Sequence, residues 1–109
     1  MSIKKGKSEA LTFLDKLIGR PFTLGSFIEA IRLGEEMTQV DFAALLGVSK
    51  SYLCDIEKGR RVVSPIKAHE YANILGYSPS QFVRLAFQDQ LKRLGMNYEV
   101  HFEKTKKVA

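Results

Sequence analysis

Tryptophan is absent from this 109-residue chain, and cysteine appears once, at Cys54. A single thiol excludes an internal disulfide and a cysteine-rich zinc site, and it points to a reducing, cytoplasmic setting. Histidine appears only at His69 and His101, far apart and on different predicted elements, so neither has metal-ligand spacing. There is no glycine-rich phosphate loop and no serine nucleophile elbow. No catalytic residue, metal or cofactor is therefore expected. No apolar stretch approaches a membrane span, and the lysine-bearing start lacks the apolar region and small-residue cleavage site of a signal peptide. Acidic residues are the minority, 12 against 17 basic, for a formal charge of +5. That moderate excess fits nucleic acid without proving it.

What is present reads as one ordinary globular domain, 45% apolar and 27% charged. Its most informative stretch is Met37 to Gly59. Thr38 and Ser49 are helix-capping residue types, each placed just before an apolar-periodic run. Gly47 falls where the chain must leave the first helix, with a positive φ expected. Phe42, Ala43, Leu46, Val48, Leu53 and Ile56 form the apolar set. Two helices this short need neighbours to pack on. The pattern is a helix-turn-helix, with the second helix presented to a DNA groove.

Around this pair the chain is read as residues 1–23, an N-terminal arm and amphipathic helix; 24–77, the DNA-binding core; and 78–109, a C-terminal helix and strand for dimerisation or partner binding. Residues 1–7 are expected as a loose lysine-rich arm. Ser8 caps a helix to Ile18 that Gly19-Arg20-Pro21 ends. Leu24 to Glu35 follows, with Leu24, Phe27, Ile28 and Ile31 at core spacing. Ser64-Pro65 opens a helix closed by Gly76, with Ala68, Tyr71, Ala72 and Leu75 on its buried face. Ser78-Pro79-Ser80-Gln81 opens another, with a capping box expected at Gln81 and an end near Leu94-Gly95. Its apolar surface is wide enough for burial on two sides; a deeply inserted core helix is the equal alternative. The fold class is all-α, about five or six helices with a short C-terminal β-strand.

That strand is read from Met96, Tyr98, Val100 and Phe102, which alternate with polar residues. As the only strand expected, it should pair outside its own chain, with a symmetry mate in a dimer or with another protein's sheet. Tyr98, Val100 and Phe102 are its candidate pairing residues, and a frayed tail is the bland alternative. Residues 105–109 are expected to be disordered.

In a recognition helix the N-terminal residues reach base edges while flanking groups grip phosphates. Lys50, Ser51 and Asp55 are the candidate base contacts, Asp55 as an acceptor for cytosine N4 or, equally, as an intrahelical partner of Lys50 or Lys58. Gln39, Ser49, Tyr52, Lys58, Arg60 and Arg61 are the candidate backbone contacts. A redox switch at Cys54 is a weaker reading than a small half-buried residue beside the groove.

The Thr38-Gln39, Gly47-Val48-Ser49 and Ile56-Glu57-Lys58-Gly59 frame resembles the Xre/Cro-like family of phage repressors and bacterial regulators, from about Leu24 to Gly76. The resemblance implies DNA contacts at Gln39, Lys50, Ser51 and Asp55, and a structural ion pair between Arg32 and Glu57. It departs from phage repressors at Lys50 and Ser51, where those often carry glutamine, so no operator sequence carries over. The layout outside the core resembles HigA-type regulators, which bind a RelE-like toxin and repress their own operon as dimers. The implied function is a homodimeric, autoregulatory repressor on inverted-repeat double-stranded DNA, with recognition helices about 34 Å apart, acting as the antitoxin of a type II pair. The alternatives are a module whose main role is toxin neutralisation and a free-standing Xre regulator.

Overall fold

The computed structural model describes residues 2–5, 22–103 and 105, the first four as backbone alone. The helix expected from Ser8 to Ile18 and the tail after Thr105 lie outside the described residues. Within them run strand β1 (Ser2–Lys5), helices α1 (Leu24–Gly34), α2 (Gln39–Leu46), α3 (Lys50–Glu57), α4 (Pro65–Leu75) and α5 (Pro79–Arg93), and strand β2 (Tyr98–His101).

Local chemistry sets the helix ends. Thr38, Ser49 and Ser64 each accept from the backbone N–H three residues on, at 3.1, 3.0 and 3.2 Å, which satisfies one of the orphan donors of a first turn. Gly47 closes α2 in the left-handed region at φ 75, a conformation that costs glycine little. At α5 the expected capping box is not closed. Ser78 accepts from the Gln81 N–H at 3.4 Å, but the Gln81 amide oxygen turns to Arg84 Nε instead. A closed box is found at α1, where Thr23 and Ser26 exchange hydrogen bonds of 3.0 and 2.8 Å.

The helices enclose one core, in which Leu24, Ile28, Phe42, Leu53, Ile56 and Phe82 are all essentially removed from solvent. Phe82 sits 5.6 Å from the Phe27 ring, which brings α5 onto α1. The wide apolar surface of α5 is thus divided: Phe82, Leu85 and Ala86 enter the helical core, and Phe87 meets Phe102 edge-on at 6.2 Å.

The strand expectation needs correction. β2 pairs within its own chain, antiparallel to β1, with Ser2 opposite His101 and Lys5 opposite Tyr98. Residues expected as a loose arm therefore include a strand. Four residues reading Ser-Ile-Lys-Lys carry no apolar alternation, so nothing local announces them. Of the candidate pairing residues, Val100 is fully buried, Tyr98 is exposed, and Phe102 lies beyond the strand.

Gln88 on α5 acts on the same strand. Its amide donates to the Tyr98 carbonyl at 2.6 Å and accepts from the Val100 N–H at 2.8 Å. The carbonyl of one residue and the N–H two positions later share one strand edge. The buried carboxamide thus occupies the place of a neighbouring strand, and β1 takes the other edge. Gln88→Leu should leave both backbone groups without partners, at about 1–3 kcal/mol each. Native-state hydrogen exchange should show the Val100 amide losing protection while amides of α2 and α3 keep theirs.

Asp89 ties α5 to α1 by accepting from the Leu24 N–H at 2.9 Å. Burial pushes its carboxyl up to about 6, against the opposing pull of that hydrogen bond and of Lys92 and Arg93. Its folded pKa lies above the unfolded value of 3.8. The stability it contributes is complete below that unfolded value and is lost as pH rises through about 6. Urea unfolding at pH 4 and pH 7 should show wild type losing about 3 kcal/mol across that interval relative to Asp89→Asn.

Candidate nucleic-acid interface

The recognition helix α3 is seated by contacts on its inner side. Leu53 and Ile56 face the core, and Glu57 is 2% exposed. The Glu57 carboxylate accepts from Arg32 Nε at 2.8 Å and from Arg32 Nη2 at 3.1 Å. Arg32 also donates to the Met37 carbonyl at 3.0 Å, in the turn between α1 and α2. The hydrogen bond to Glu57 is the main cause that raises the Arg32 guanidinium above its ordinary range, with burial opposing it. Gln39 joins this network, its amide nitrogen donating to Glu57 Oε1 at 3.0 Å.

Gly25 brings α1 against the end of α3. A Cβ there would collide with the Ile56 carbonyl oxygen, a backbone atom that cannot step aside. Arg93 on α5 donates to the Gly59 carbonyl at 2.6 Å, just past α3. The helix is therefore held from α1, α2 and α5.

Its outer face is polar. Lys50 and Ser51 are exposed, while Tyr52, Cys54 and Asp55 are half-buried. Ser49 serves as the cap, accepting from the Tyr52 N–H, which leaves its O–H able to donate. Lys58, Arg60 and Arg61 are exposed beyond the helix. The backbone N–H groups of Arg60 and Arg61 both return to the Asp55 carbonyl, at 2.8 and 3.2 Å.

The two arginines then part. Arg60 turns back along α3, its Nε donating to Asp55 Oδ1 at 3.0 Å and its Nη2 lying 3.7 Å from Cys54 Sγ. Arg61 lies over the Tyr52 ring at 4.3 Å, a cation–π contact. Burial, with the neighbouring Tyr52, pushes the hydroxyl of Tyr71 on α4 up to about 12.

The structure thus brings Lys50, Ser51, Asp55 and Arg60 together on one face. It draws Gln39 toward the Arg32–Glu57 pair, and it pairs Asp55 with Arg60 rather than with Lys50 or Lys58. Gly25 and Arg93 support the interface without any local motif to mark them. His69 is exposed on α4, and His101 stands on β2 with Nε2 3.0 Å from Glu99.

Arg32→Met should destabilise the fold by about 3–5 kcal/mol, because Glu57 keeps a buried charge without its partner. The double change Arg32→Met/Glu57→Met should lose less than that single change. Chemical denaturation of the two variants compares them directly.

A family model described as helix-turn-helix matches residues 28–82, from within α1 to the first turn of α5 and just over half of the chain. No curated protein and no solved structure matched.

Proposed function

The chain belongs to the Xre/Cro-like helix-turn-helix family of DNA-binding transcription regulators, and from that premise we propose that it is a sequence-specific repressor acting as a homodimer on an inverted repeat. The family is one of regulators rather than enzymes. The observation that carries the proposal is the two-sidedness of α3. One side is locked by Glu57, Leu53 and Ile56, and the other presents Lys50 and Ser51 to solvent.

In this reading Lys50 and Ser51 meet base edges, where an ammonium suits guanine O6 or N7 and a hydroxyl suits several edges. Ser49, Tyr52, Lys58 and Arg61 meet phosphates, with Arg61 steadied by the Tyr52 ring. Because the Gln39 amide nitrogen is committed to Glu57, the start of α2 offers backbone N–H groups as its phosphate ligands. Autoregulation and service as the antitoxin of a type II pair, with a RelE-like toxin as partner, remain part of the proposal through the overall layout. The rival reading, a module whose main role is capturing a toxin by strand addition, loses its principal support, since β1 and Gln88 flank β2.

Fluorescence anisotropy on the DNA upstream of its own gene, against scrambled DNA at two salt concentrations, tests the proposal. A preference of about a thousand-fold is the expected result, with affinity falling steeply as salt rises. Equal, weak and salt-sensitive binding to both duplexes would overturn it.

A further inference from the structure

Arg60 and Arg61 are adjacent in sequence and read there as one phosphate clamp, but their side chains serve different surfaces. Arg61 is held on the Tyr52 ring. Arg60 lies with Lys50, Ser51, Cys54 and Asp55 around a concavity of about 180 Å³ on the outer face of α3. We propose that Arg60 reads a guanine of the operator, and that Asp55 is its positioning residue and not a base acceptor. This rests on the sequence-specific DNA reading above and assigns the discrimination within it.

Three observations carry the assignment. The first is which donors are engaged. Nε and Nη2 form one edge of the guanidinium, and that edge faces Asp55 Oδ1 and Cys54 Sγ. An arginine has five N–H donors, so the end-on fork of Nη1 and Nη2 stays open. That fork matches the paired acceptors O6 and N7 of guanine in the major groove.

The second is charge. A carboxylate 3.0 Å from Arg60 Nε offsets the cation and repels any phosphate brought to the same place. A guanine edge is neutral and offers two acceptors, so it meets no such repulsion. The third is exposure. The Arg60 and Asp55 side chains are 58% and 36% exposed, and ion pairs so open to water add little to stability. What the pair supplies is orientation, since an arginine already held in one rotamer gives up less freedom on binding.

The test is selection of binding sites from a randomised duplex library by wild type, Arg60→Ala, Arg60→Lys, Asp55→Ala and the Asp55→Ala/Arg60→Ala double variant. Anisotropy on the selected duplex and its single base-pair replacements follows, at two salt concentrations. For wild type, replacing one G·C pair per half-site should cost about 5- to 100-fold in affinity. Arg60→Ala should become indifferent to that replacement, whereas Arg60→Lys should keep only part of the preference, with the wild-type salt slope. Asp55→Ala should weaken discrimination at the same pair and add nothing once Arg60 is alanine.

Arg60→Ala weakening every duplex alike, with the salt slope reduced by about one, would make Arg60 a phosphate contact and overturn the assignment. An Asp55→Ala effect at a different base pair, or one persisting beside Arg60→Ala, would make Asp55 a base reader and overturn it too. Wild type selecting no consensus would overturn the sequence-specific function itself. A wild-type consensus left unchanged by Arg60→Ala would overturn this inference alone.

Discussion

Glu57 keeps a carboxylate where almost no water reaches it, and three other parts of the chain are arranged to tolerate that charge. Arg32 brings two guanidinium nitrogens from α1, Gln39 brings an amide from α2, and Arg32 also reaches the Met37 carbonyl in the turn between those helices. A lone buried carboxylate is costly, whereas one fully engaged by charged and neutral donors is tolerated. Because hydrogen bonds are directional, the network sets where α3 sits as well as whether it is satisfied. An apolar contact in the same place would pack α3 without choosing its angle so narrowly. The outer face inherits that placement.

A second constraint acts at the same C-terminal end of that helix. Gly25 permits a backbone approach that no side chain would, and Arg93 reaches back from α5 to Gly59. The C-terminal helix is thus part of the mounting of the DNA-reading element, in addition to whatever it offers a partner. Its outer side is occupied as well, with Gln88 standing in for a strand beside β2. Strand edges left open invite pairing with other chains. Here a buried side-chain amide and a short N-terminal strand flank β2.

The loop after α3 shows how neighbouring residues of identical type acquire separate roles. Gly59 adopts φ 77, the chain folds back on the Asp55 carbonyl, and the next two side chains take different partners on α3. Arg61 finds an aromatic face and Arg60 finds a carboxylate. The basic run visible in the sequence is therefore two devices, one placed beside Lys50 and Ser51 on the outer face of α3 and one beside Tyr52.

Helix positions were legible from sequence because their determinants are local. Thr38, Ser49 and Ser64 cap turns three residues away, Gly47 and Gly76 end helices by their own backbone freedom, and apolar spacing marks the faces of α1 through α5. The exposure of Lys50 and Ser51 follows from the same periodicity. What escaped the sequence involves partners distant in the chain or directions set by a turn. β1 is too short and too polar to show a period, and its pairing spans nearly the whole chain. Gln88 looks like any helix amide until β2 is laid against it. The bond from Gln39 to Glu57 at 3.0 Å has no sign in the sequence either. Asp55 has several cations within helical reach, yet its partner is Arg60, because only the folded turn decides which way that side chain runs. Sequence by itself determined the helices and the motif, through interactions within one turn of helix. Tertiary structure decided the pairings, because a charge or an open strand edge takes whichever complementary group the fold carries to it.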